Sequence, residues 1–555
     1  MKRLLFTIAT ATALGANALA QETYDNAPIA TKDLNGTARY VGMGGAMEAL
    51  GADISTMGTN PAGIGLFRKK AVSVSFGVNS VTDAQDFYGM KKTKMSFDHA
   101  GFVYTVRESD DVFVNFGFSY TKSKDFNQIV NASGALRGAS QNKLTGMKNY
   151  NGIYTLRQKG NTLVSQDAAC SQLDYLYINT ILADSHAALT DENGNLIGEN
   201  TDGYLVRPTT DINGNTTFAP AFYNADGYRF GRGNEGYIGE YNFNLSGNVH
   251  NWLYWGVTAG VYDVHYNSAT SYTENIVDGN NNGIGNVTLT DNKKITGSGF
   301  DIKAGVIIRP VADSPFRFGA YIHTPTWYDL TTSNYTRLDN GLERQYGAHD
   351  YGEISEAYDF KFYTPWRFGL SLGHVIDNCI AIGATYEYAD YTSCDIRVND
   401  GGTVDWWGNY YDESHSDRLM KENIRQSLDG VHTLKLGMEY KPASNVSLRL
   451  GYNYVSPMYK SNGFKNGTLN SYGSYYSSTT DYTNWKATNR LTAGVGYAWK
   501  KFSADLACVY SSTKGDFYPF LNYVDDADPS YDNVCEGVKV KDKHSKLILT
   551  LGYRF

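Results

Sequence analysis

Residues 111–120 read Asp-Val-Phe-Val-Asn-Phe-Gly-Phe-Ser-Tyr. Val112, Val114, Phe116, Phe118 and Tyr120 alternate with Asn115, Gly117 and Ser119. Side chains of a strand point to opposite faces at every step, so this stretch has one apolar face and one small or polar face. Such a strand suits a soluble sandwich, where the apolar face meets a second sheet. It also suits a membrane barrel, where that face meets lipid and the polar face lines the lumen.

The same period recurs outward from this stretch. Val72, Val74, Phe76 and Val78 alternate with Ser73, Ser75, Gly77 and Asn79, and Tyr241, Phe243 and Leu245 alternate with Asn242, Asn244 and Ser246. Fourteen strands are predicted, near 71–80, 97–107, 111–121, 237–249, 253–266, 294–308, 316–330, 357–374, 379–391, 431–441, 446–456, 488–499, 502–510 and 544–555. Six short connections, such as Glu108-Ser109-Asp110, Asp377-Asn378 and Lys500-Lys501, alternate with seven long ones, the largest about 121–236. An even number of strands joined by alternating short and long connections is the pattern of an outer-membrane barrel, with short turns periplasmic and long loops outside. The last strand carries Leu547, Leu549, Leu551, Tyr553 and the terminal Phe555, resembling the C-terminal signal read by the barrel-assembly machinery.

Composition agrees. Gly (57) and Tyr (44) are abundant, Pro is scarce (12) and the mean hydropathy is −0.40; after the signal peptide no apolar run approaches the length of a membrane helix, which excludes a helical membrane protein. The net charge of −8 leaves no electrostatic footprint for nucleic acid. Lys2 and Arg3, the apolar run Leu4 to Leu14 and Ala18-Leu19-Ala20 form a signal peptide over 1–20, with the mature chain beginning at Gln21. The five cysteines are scattered without CxxC spacing, so neither a zinc site nor a disulfide framework follows; a pairing of Cys170 with Cys535 is left open.

Residues 21–70 do not alternate. Seven glycines fall within 42–65, and Asn60-Pro61-Ala62-Gly63 joins an extended residue, a fixed φ and a free φ. A compact segment of small residues fits inside a barrel. Gly36-Thr37-Ala38-Arg39, Gly42-Met43-Gly44-Gly45-Ala46 and Asn60-Pro61-Ala62-Gly63, followed at once by a strand, resemble the long-chain fatty-acid transporter family of outer-membrane proteins, the FadL/TodX type. Thr324-Pro325 and Thr364-Pro365-Trp366-Arg367 resemble it too. The resemblance implies an N-terminal hatch over 21–70, with Asn60, Pro61, Ala62 and Gly63 as gating residues, inside a barrel over 71–555. It also implies passive uptake of a hydrophobic small molecule, by default a fatty acid, and exit through a gap in the wall. Gly117 is the candidate for that gap, because strand glycines often mark bulges. The alternatives are a receptor or porin for another ligand, such as haem or an aromatic compound, and a surface adhesin or antigen.

Lys303, Arg317, Lys361, Arg367, Lys435, Arg449 and Arg490, with Asp301, Asp359, Glu387 and Glu439, are assigned to the lumen face. Lys303, Arg367 and Lys435 fall near mid-depth, as a salt-bridge network or as contacts for a ligand carboxylate. Tyr120, Trp252, Trp327, Tyr328, Trp485 and Trp499 are assigned to interfacial girdles. Asp278–Gly283 copies half of a calcium loop but has Leu289 where the bidentate Glu belongs; with Asp191–Asn195 and Asp211–Asn215 it reads better as a hairpin turn. Asp412-Glu413-Ser414-His415 sets triad residue types side by side, an arrangement that seldom makes a triad. No catalytic residue, metal or cofactor is assigned. The expected partners are the small-molecule ligand, outer-membrane lipid and lipopolysaccharide, and the assembly machinery.

Overall fold

The computed structural model describes residues 22–555 apart from 110, 212, 312–313 and 409, and omits the side chains of 410–412. The signal-peptide segment 1–20 lies outside the described residues. Fourteen antiparallel barrel strands, numbered here in chain order, close a single sheet. They are β1 (Ala71–Val81), β2 (Thr93–Arg107), β3 (Phe113–Asp125), β4 (Asn224–Val249), β5 (Leu253–Val277) and β6 (Gly283–Ile308). β7 comprises Arg317–His323 and Trp327–Leu342, and β8 comprises Tyr351–Tyr363 and Arg367–Ile376. β9 (Ile380–Asp390), β10 (Gly430–Ala443), β11 (Val446–Val455), β12 (Tyr482–Trp499), β13 (Phe502–Tyr518) and β14 (Val538–Arg554) complete it. β1 pairs with β14 from Ala71↔Arg554 to Val81↔His544, which leaves no edge.

Lipid is the solvent of the outer face near the short-turn end. Val257 and Val261 on β5, Phe300, Ile302 and Val306 on β6, Leu370 and Leu372 on β8, and Leu547, Leu549 and Leu551 on β14 are exposed. The inward positions between them hold Thr258, Asp301, Lys303, Ser371 and Thr550, all buried. A closed sheet with an apolar belt outside and polar residues inside is a transmembrane barrel of the outer-membrane type. The short turns need left-handed residues, and Asp377 and Asn378 supply them at φ 48° and 56°.

The strands outrun the membrane. β4, β5 and β6 are 26, 25 and 26 residues long, against the ~9–11 that suffice to cross a bilayer. Beyond the belt they form a tower whose interior is apolar: Tyr228, Phe230, Tyr272, Ile276, Val287 and Leu289 pack there with Phe517 and Phe520. The connection expected over about 121–236 is therefore shorter. β3 runs to Asp125, Gln128–Ala135 continues along β4, and the insertion proper is 136–223. It carries helices Gln141–Tyr150 and Gln172–Tyr177 and a small five-stranded sheet, and its Leu173, Leu176 and Ile181 join the tower core.

β7 and β8 are broken side by side at Thr324-Pro325-Thr326 and Thr364-Pro365-Trp366. Pairing runs up to His323↔Arg367 and resumes at Trp327↔Tyr363. The two prolines cannot donate to a ladder, and Thr326 N–H instead donates to Thr364 Oγ1 at 2.8 Å. Each break reverses which residues face inward. Below it Tyr321, His323 and Gly369 are buried; above it Tyr328, Leu330, Phe360 and Phe362 are. This corrects the sequence assignment: Asp359 and Lys361 belong to the outer face, because a one-residue slip moves a whole strand's side chains across the sheet. Tyr328, assigned to a girdle, is buried inside for the same reason. Trp485 also faces inward, whereas Trp252, Trp327 and Trp499 are exposed as assigned.

Candidate functional site

Residues 22–70 lie inside the barrel and approach its wall backbone to backbone. A Cβ added to Gly383 would sit 1.9 Å from Ala46 O, one on Gly437 2.2 Å from Met43 O, and one on Gly256 2.5 Å from Pro61. Gly373 on β8 and Gly451 on β11 also meet backbone of the segment, and Gly101, Gly117 and Gly305 meet its side chains, so strand glycines create the space that the segment fills. Gly117 is one of them. Its ladders keep register around it, with Val103 on β2 and Asn244 on β4 opposite, the nearest shift lying at Ser123, and a Cβ there would sit 2.2 Å from Met57 Cε. The bulge expected at Gly117 is absent; the residue admits Met57 to the wall.

Asn60-Pro61-Ala62-Gly63 is the base of this seat. Asn60 Oδ1 accepts from Ala62 N–H, and Nδ2 donates to Glu48 O at 3.0 Å and to Val306 O on β6 at 3.3 Å. Pro61 begins the 3-10 turn Pro61–Leu66, where its missing N–H costs nothing. Gly63 N–H donates to Asn60 O, and Gly63 O accepts from Ala52 N–H. Charges fasten the rest. Glu439 holds Arg39 and Arg449 at 3.1 and 2.7 Å, and Arg317 donates to Leu50 O at 2.7 Å.

Above the segment lies a cavity of about 420 Å³. Its walls combine aromatic rings (Tyr24, Phe126, Tyr266, Tyr459, Tyr482 and Trp485) with charged groups. Lumenal-segment residues line it through 24–35 and 55–59; the Asn60–Gly63 turn lies below and does not reach it. Of the three cations placed at mid-depth by sequence, Arg367 and Lys435 line the cavity. Arg367 pairs with Glu387 at 2.8 Å and Lys435 with Glu48 at 2.8 Å, two cations to two acids. Lys303 does not line it. Its ammonium is enclosed by Asp301 (2.7 Å), Glu240 (3.0 Å) and Asn242 (3.1 Å), so the structure removes it as a ligand contact.

The cation with the weakest partner on this surface is Arg490, which the alternation of β12 turned inward. It donates to Asn453 Oδ1 at 2.9 Å and stands 3.7 Å from Asp33. Asp33 is already held by Lys124 at 3.3 Å, and Asp125 and Asp542 line the same corner with Lys122 and His544, so Arg490 stands out by its distance from its acid rather than by an excess of cations. Sequence reading counted Arg490 among the lumen charges without singling it out, because its distinction is the 3.7 Å that separates it from Asp33, an acid it shares with Lys124 from elsewhere in the chain.

The remaining candidates resolve as turns and ion pairs. Asp191, Asp211 and Asp278 each accept backbone N–H donors two and four residues on, which uses the carboxylate that a cation would need. His415 pairs with Asp400 at 2.7 Å, and Ser414 Oγ accepts from Arg397. All five cysteines, Cys170 and Cys535 included, are free thiols.

No protein-family model and no curated protein matches the chain. Solved structures do. The chain is similar to the toluene transporter TbuX of Ralstonia pickettii, at 15% identity over 94% of this chain and 99% of that one, with a TM-score of 0.45. It is similar to the toluene transporter TodX of Pseudomonas putida, at 12% identity over 95% and 99%, with a TM-score of 0.44. A Pseudomonas aeruginosa FadL homologue is similar at 11% identity over 97% and 100%, with a TM-score of 0.44.

Proposed function

We propose that this chain is a passive outer-membrane transporter for an amphipathic, largely hydrophobic small molecule, with a long-chain fatty acid as the leading cargo. The observation that carries the reading is the cavity itself: a space of about 420 Å³ inside a transmembrane barrel, floored by a separate segment of the same chain. A floor docked by contacts rather than by strand pairing can shift without opening the wall, which makes residues 22–70 a hatch. The Asn60-Pro61-Ala62-Gly63 turn sets its position. The motif resemblance to the FadL/TodX type supports the same reading.

The lining specifies the cargo further. Tyrosine rings accept an acyl chain or an aromatic body, and the Arg490 guanidinium, 3.7 Å from its acid, suits a carboxylate. Arg367 and Lys435 contribute a balanced polar wall. Purified protein should bind a fluorescent long-chain fatty acid in preference to its methyl ester. Arg490→Gln should erase that preference, a loss of roughly tenfold to a hundredfold for one charge-assisted hydrogen bond. Equal binding of acid and ester by the parent would overturn the carboxylate assignment. No binding of either would overturn the transporter reading.

A further inference from the structure

The outer face of β14 changes character at one level. Leu551, Leu549 and Leu547 face lipid, and the same row continues through Ser545 to Lys543, Lys541 and Lys539. Tyr510 of β13, paired with Ser545, is exposed and marks the boundary of the belt. Immediately above it Lys514 of β13 is paired directly with Lys541, and both are exposed. Like charges directly opposite in a ladder repel, and neither ammonium has an acid partner among the described residues. The nearby acids leave the excess in place: Asp516 serves Lys539 and Lys486, and Asp83 pairs with Lys543 and reaches Lys541 only at longer range. On β8, by contrast, Asp359 and Lys361 share the outer face above the belt.

We propose that Lys514, Lys541 and Lys543 form a binding surface for the phosphorylated glycolipid headgroup of the outer leaflet. The inference rests on the outer-membrane placement of the barrel, not on its cargo. Short turns lie on the periplasmic side of such barrels, so the lysine row stands at the height of the outer-leaflet headgroups. The apolar row below it takes the acyl chains of the same lipid. A lipid phosphate would separate the opposed Lys514 and Lys541 ammonium groups and satisfy both, since each carries three donors and no acceptor. The row continues the lipid-facing surface without interruption, which favours a lipid over a protein as its occupant.

The test uses full-length purified protein in detergent and native mass spectrometry. The probes are bisphosphorylated lipid A and its dephosphorylated form. The parent should retain the phosphorylated lipid selectively, and less of it as salt rises. The triple variant Lys514→Gln, Lys541→Gln, Lys543→Gln should retain roughly a hundredfold less, at about fivefold for each lysine near an anionic surface. The corresponding triple arginine variant should retain it as the parent does. Lys69→Gln with Lys500→Gln and Lys501→Gln, at the opposite rim, should change nothing. All variants should stay heat-modifiable, since no substituted side chain is buried in the lumen or in the tower core. Equal retention of both lipids by the parent, or an equal fall in the opposite-rim variant, would overturn the proposal. So would a change of oligomeric state in the triple glutamine variant with unchanged lipid retention, which would assign the row to a protein contact.

Discussion

Along β6 from Val287 to Ile307 the inward and outward faces do not exchange, yet the apolar residues do. Near the short-turn end Phe300, Ile302 and Val306 face out to lipid while Asp301 and Lys303 face in. Farther up, Val287, Leu289 and Ile295 face in and are buried. The lower barrel is inside-out relative to a soluble protein, and the tower is arranged like one. One continuous strand satisfies two solvents by moving its hydrophobic residues from even to odd positions. The stabilising terms differ accordingly. In the tower, apolar burial drives packing. In the lower barrel, backbone pairing and contact with the lumenal segment hold the structure, because lipid is as apolar as the side chains it touches.

The largest effect should come from the tower core. Phe517 is fully buried, with its ring 4.6 Å from that of Phe230. Phe517→Ala should cost the tower about 3–5 kcal/mol, whereas Phe300→Ala, which empties a space that lipid refills, should cost far less. Hydrogen exchange of the two regions reads both. Equal losses would mean that the tower has no core of its own.

A smaller effect is pH-dependent and confined to the tower. Glu274 stands above the belt and accepts from Tyr272 OH and from the N–H of Gln141, at the start of the helix Gln141–Tyr150. Burial among apolar groups pushes its carboxyl up from 4.5 to about 7. The folded tower therefore holds a proton that the unfolded chain releases between those values. Stability is fully present below the unfolded value and falls as pH rises to about 7, by up to about 1.4 kcal/mol per unit. Exchange at 141–147 should be slower at pH 5 than at pH 8, and Glu274→Gln should remove the difference. Exchange rates, corrected for intrinsic pH dependence, that do not change between those pH values would refute the assignment.

The smallest effect sharpens the lower half of the comparison. Gly383→Ala places a Cβ against Ala46 O and should loosen the lumenal segment by about 1–3 kcal/mol, leaving the wall heat-modifiable. Ion conductance in planar bilayers should rise. Unchanged conductance would show that the segment does not limit the pathway.

Much of the barrel was legible because period-2 alternation is local: every one of the fourteen strands lies where Val, Phe, Tyr and Leu alternate with small or polar residues. The facing of Asp359, Lys361 and Tyr328 was not, because it depends on how many residues the Pro325 and Pro365 breaks consume, which alternation on either side does not count. The tower was read as loops because its inward apolar residues, such as Tyr272 and Ile276, are interleaved with threonines and asparagines. The cavity's charged corner was illegible for a different reason. Asp33, Lys124 and Arg490 are remote in sequence, and only the closed barrel brings them together. The glycines of β9 and β10 were visible, but their purpose appears only opposite Ala46 and Met43.

That seat has a mechanical consequence. Ala46 O, Met43 O and Pro61 rest in notches of bare backbone, while side chains such as Met57, Ile54 and Arg39 fill the contact between segment and wall elsewhere. At these three points the wall leaves the segment no room to move outward, so any displacement of it must run along the lumen and not into the wall.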